Sequence, residues 1–80
     1  MDVDLARHVA RAAFRSSREL GDLVPFLKER LSADEYPDYA RSIASAIAAI
    51  HLDLVNKLIA DHPGLEGEIE ASIATHGRYL

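Results

Sequence analysis

The chain predicts an all-α fold, a small bundle of three to four helices with one long central helix at about residues 35–61, assembling as a homodimer. Three observations predict it. No period-two run of β-branched residues suggests a strand. Apolar residues instead recur at three- and four-residue spacing along most of the chain. The longest of these periodic stretches is also too long and too apolar for the rest of an 80-residue chain to cover.

The first helix is expected over residues 4–20, where Leu5, Val9, Ala13 and Leu20 share one side and Asp2 and Asp4 suit the positive end of the helix dipole. Arg7, Arg11, Arg15 and Arg18 share an arc of about 80° on the other side. Gly21-Asp22 predicts a break, with Asp22 capping a short second helix in which Pro25 occupies the first turn and Leu23, Val24, Leu27 and Leu31 form the apolar side.

Ser32-Ala33-Asp34-Glu35 fits a capping box, but Pro37 then removes a backbone bond, so Asp34 is the preferred cap. From there no breaker intervenes before His62-Pro63-Gly64, giving a helix of roughly 27 residues, about 40 Å long. A compact 80-residue monomer has a radius of gyration of about 12 Å, so this helix overhangs it. Tyr36, Ala40, Ile43, Ile47, Ile50, Leu54 and Leu58 form one stripe, and Ala44, Ala48, Val55 and Ile59 widen it to roughly 200°, about twice the arc that one buried face needs. The last helix starts at His62-Pro63, carries Leu65, Ile69 and Ile73 on its apolar side with Leu80 at the same spacing, and stops at Gly77, followed by Arg78-Tyr79-Leu80.

Composition bounds the function. One domain of this size buries only about 60% of its unfolded surface, and without cysteine it has neither disulfides nor thiolate metal sites, which favours self-association. A net charge of −4 argues against a surface built for nucleic acid. His51, Asp53, Asn56 and Lys57 interrupt the most apolar window and argue against a membrane span; with no signal-like start, a cytoplasmic protein is expected.

No chemistry-bearing motif emerges. The four histidines never pair at helical spacing, no Glu-x-x-His occurs, the glycines form no phosphate loop, and no serine stands in a nucleophile setting, so neither enzyme activity nor a cofactor or metal is expected. Asp4 with His8 reads as a surface ion pair, and Ser72 lies within helical reach of His76.

Two candidate surfaces remain. The dimer or core face comprises Tyr36, Ala40, Ile43, Ala44, Ile47, Ala48, Ile50, His51, Leu54, Val55 and Leu58, with Ala40, Ala44 and Ala48 forming a small-residue row for close helix approach. His51 projects from within this arc and reads as a hydrogen-bonded core or interface group, or alternatively as a pH-sensitive one. The anionic-partner face is Arg7, Arg11, Arg15 and Arg18, although Asp4, Glu19 and Asp22 lie where they can neutralise it. The leading expectation is a non-enzymatic interaction or regulatory module acting on a partner protein. The alternatives are a polyanion binder using the arginine stripe and a small-ligand bundle with its site near His51.

Overall fold

Asp2 accepts a hydrogen bond from the Leu5 amide at 2.8 Å, and from this cap a single helix, α1, runs over Val3–Arg30. The computed structural model describes all of Met1–Leu80 and has three helices and no strand: α1, then α2 over Tyr36–Asp61, then α3 over Gly64–His76. The fold is therefore all-α, with two long helices rather than one. The expected break at Gly21-Asp22 does not occur. Gly21 lies on the seam with α2, and Pro25 deletes only the amide bond that would have reached Gly21's own carbonyl, so both disruptions fall in one turn. Packing of Leu20, Val24 and Leu27, all half-buried, outweighs the poor helix propensity there.

The turn into α2 is capped by Ser32, not Asp34. Ser32 Oγ accepts from the Glu35 amide at 3.1 Å, the first half of a capping box, and its hydroxyl, not its amide, donates to Glu35 Oε1 at 3.0 Å. One turn spans residues 33–35 before α2 begins at Tyr36, which leaves Pro37 in the first turn of the helix proper, where it costs no bond.

Near its middle α2 widens. Over Ile50–Val55 the backbone forms π-helical turns, and the Asn56 amide donates to the His51 carbonyl five residues back. Such a ring holds one residue more than an α turn, so the inward register slips by one. Tyr36, Ala40, Ile43, Ile47 and Ile50 meet α1 before the bulge, and Val55, Leu58 and Ile59 turn inward after it. Val55 is buried, whereas Leu54, on the stripe of an unbroken α-helix, is 39% exposed.

α1 and α2 form an antiparallel hairpin, and α3 packs across one end, where Ala6, Ala10, Leu58, Leu65, Ile69 and Tyr79 make the core. The alanines have no exposed surface, which is what lets Leu65, the one large side chain buried completely, sit against α1. The result is a slab of 45 × 25 × 15 Å with a radius of gyration of 14.8 Å, well above the compact value of about 12 Å. At the loop end only two helices are present, and their seam stays half-buried.

Candidate functional site

The candidate side chains fall on different sides of the hairpin. At about 100° per residue, Leu5, Val9, Leu20, Leu23 and Leu27 lie on the flank of α1 turned away from Arg7 and Phe14, the residues facing α3 and the C-terminal segment. The matching flank of α2 carries Tyr39, Ile43, Ala46 and Ile50. Together these make an uncharged strip along the face opposite α3, on which Leu5, Leu23 and Tyr39 are about half exposed. The chain as a whole exposes 5568 Å², against about 4,800 Å² for a compact monomer of 8.8 kDa.

The expected dimer or core residues thus divide. Val55 and Leu58 are buried; Tyr36, Ala40, Ile43, Ile47, Ile50 and His51 are half-buried against α1; Ala44, Ala48 and Leu54 are exposed. The alanine row does not act as a unit, because Ala40 points into the hairpin while Ala44 and Ala48 are open to solvent. His51, at the start of the bulge, has an aromatic neighbour: its ring meets Phe14 edge-on with centroids 5.0 Å apart.

The arginine stripe divides as well. Arg7 is committed to structure: its Nε and Nη2 donate to Glu68 Oε2 and Oε1 at 3.0 and 2.7 Å, and its Nη1 donates to Asp4 Oδ1 at 2.7 Å. The hydrogen bonds from Arg7 hold the Glu68 carboxyl below the usual carboxylate range against opposing desolvation, with Arg7 and Arg11 adding charge attraction; Glu68 in turn raises Arg7. Asp4 therefore pairs with Arg7, not His8, and the expected pairings of Arg15 with Glu19 and Arg18 with Asp22 do not form. Arg11, Arg15 and Arg18 engage no carboxylate in an ion pair.

These three line a groove of about 450 Å³ closed by Arg78-Tyr79-Leu80, a segment the sequence did not mark as part of any site. Gly77, at φ 75°, ends α3 in the left-handed conformation and donates to the Ile73 carbonyl at 2.8 Å, turning the chain back. Ser72 fastens the returning segment rather than reaching for His76: its Oγ donates to the Arg78 carbonyl at 3.2 Å and accepts from the Leu80 amide at 2.9 Å. Tyr79 is thereby pressed into the core, edge-on to Phe14 at 5.4 Å, with the Arg11 guanidinium 5.9 Å from its ring centroid. Its hydroxyl is buried without a hydrogen-bond partner. The glycine stop followed at once by an aromatic and a leucine was the available signal that the chain folds back here.

No three His, Asp or Glu side chains converge as a metal-ligand set. Comparison with known proteins returns no match among family models, curated proteins or solved structures. Any functional reading therefore rests on the two surfaces themselves.

Proposed function

We propose that the chain is a non-enzymatic interaction module that works as a homodimer, a second copy covering the uncharged face of the α1–α2 hairpin opposite α3. The observation that carries this reading is the excess surface. The chain exposes 5568 Å² where a compact chain of its mass exposes about 4,800 Å², and the surplus of roughly 800 Å² matches one partner's share of a standard interface. A face 45 × 25 Å has room for such a contact, and two hairpins laid face to face about a two-fold axis make a four-helix layer in which each seam covers the other.

A membrane is the other solvent that an apolar helix seeks, and α2 is long and apolar enough to cross one. Asp53, Asn56 and Lys57 on α2 favour the dimer, since a span places these polar groups in hydrocarbon. Sedimentation equilibrium of the purified chain in detergent-free buffer tests the reading. A dimer that Leu23→Glu converts to a folded monomer is expected. A wild-type monomer at tens of micromolar, or recovery only in the membrane fraction, overturns it.

A further inference from the structure

We infer that the groove between α1 and the returning C-terminal segment is a binding site for a small organic phosphate monoester, its phosphate held by Arg11, Arg15, Arg18 and Arg78 and its apolar part seated on Phe14 and Leu80. The volume of about 450 Å³ lies within the range of small-molecule sites, roughly 300–1,000 Å³. The lining combines two chemistries. Three arginines come from successive turns of one helix and a fourth from 60 residues further along the chain, brought to the same cavity by Gly77 and the Ser72 clasp. Ion pairs elsewhere in the molecule consume Arg7 and Arg41, but none of these four. Glu68, the carboxylate that feels Arg11, is already bonded on both oxygens by Arg7.

Clustering four cations with no Asp or Glu side chain in the lining costs repulsion that a bound anion relieves. The fork of a guanidinium matches phosphate oxygens two at a time, and a phosphate dianion has enough oxygens for more than one fork, which a carboxylate lacks. Phe14, Ile73, Tyr79 and Leu80, with Gly77, supply the rest of the lining, so an inorganic anion alone leaves the apolar wall unused. A nucleic acid strand is the less suitable occupant. From Arg11 to Arg18 the stripe extends only about 10 Å along the helix, and the charges line one cavity instead of following a track.

Titration of the ¹⁵N-labelled full chain with phenyl phosphate, followed by NMR, tests the site. Saturable shifts confined to the arginine Nε–H signals and to the amides of Gly77–Leu80 are expected, with a Kd of about 1 mM for so small a ligand. Inorganic phosphate and phenol, each half of the probe, should bind about tenfold more weakly or not at all. Because Arg15 and Arg18 are exposed, the double variant Arg15→Glu/Arg18→Glu should keep its helical circular dichroism and lose binding by at least about tenfold, while Lys28→Glu/Lys57→Glu, exposed and outside the groove, binds as wild type. If vesicles containing phosphatidic acid capture the chain and phenyl phosphate displaces it, the same chemistry is supplied by a lipid headgroup. If they do not, while phenyl phosphate binds as expected, it is supplied by a soluble ester. Shifts scattered over Leu23, Phe26 and Tyr39, unchanged affinity in the arginine double variant, or tighter binding of a short single-stranded oligonucleotide than of phenyl phosphate overturns the proposal.

Discussion

Arg7 of α1 and Glu68 of α3 meet through two parallel hydrogen bonds, at 3.0 and 2.7 Å, and are the only ion pair joining two helices of this chain. The pair fixes the height at which α3 crosses the hairpin, because it sits beside the small contacts of Ala6 and Ala10 with Leu65.

Its pH dependence has a definite sign. Glu68 has its pKa lowered by folding, so its contribution is complete above the ordinary glutamate value of about 4.3 and is lost as pH falls through the folded value below it. Arg7 is raised, and its contribution disappears only in strong alkali, outside any useful range. Thermal melts of wild type and Glu68→Gln should therefore differ at neutral pH and converge in acid. Both groups are partly exposed, so the difference is also smaller in high salt. A gap between the two proteins that stays constant from pH 7 to about 2 contradicts this account.

Gly21 lies inside α1, and a Cβ placed there meets nothing nearer than the Ile47 side-chain tip at 4.0 Å, ordinary contact. Gly21→Ala should thus stabilise the chain by about 0.5–1 kcal/mol, raising Tm by roughly 4 °C. Had the chain broken into two helices at this point, the same substitution would weaken it. A fall in Tm identifies that broken state.

Deleting Leu52, which is 67% exposed within the wide turns, removes the residue by which α2 exceeds an α-helix. The shortened helix carries Val55 and Ile59 on the same line as Ile43 and Ile47, so the deletion should cost less than about 1 kcal/mol. Deleting Ser45 instead throws Ile47 and Ile50 out of register and should cost at least about 2 kcal/mol. Equal losses for the two deletions, measured by urea denaturation, refute the register argument.

The buried hydroxyl of Tyr79 is unpaired. Because such a group loses its hydration without a return, Tyr79→Phe should be neutral or stabilising by up to about 1 kcal/mol. A loss greater than this in chemical denaturation shows that the hydroxyl has a partner.

Helix content was readable from periodicity alone, and so was the stop at Gly77, which depends on residues within one turn; Asp2 was legible only as an acid suited to the helix dipole, not as the cap it is. What the sequence concealed depends on contacts between distant segments. Gly21 and Pro25 are poor helix formers, and only the packing of Leu20, Val24 and Leu27 on α2 holds that stretch helical. A wheel with fixed steps cannot register the extra residue near His51, and it therefore placed Leu54 inward where Val55 is buried. The arginine stripe was visible as a pattern, but its division was not: Glu68 removes Arg7 and the Ser72 clasp adds Arg78, both from elements far along the chain.

Where α3 lies across the hairpin the 15 Å slab is two helices deep, and toward the loop end it is one helix deep. Cooperativity in such a body resembles that of a zipper more than that of a globule. Opening can start where α1 hands over to α2, far from the cluster around Leu65, and travel along the hairpin turn by turn. Amide hydrogens of an isolated chain should exchange along a gradient, fastest near Ser32 and slowest near Ala10 and Leu58. A second hairpin laid along the face would flatten that gradient by covering the loop end.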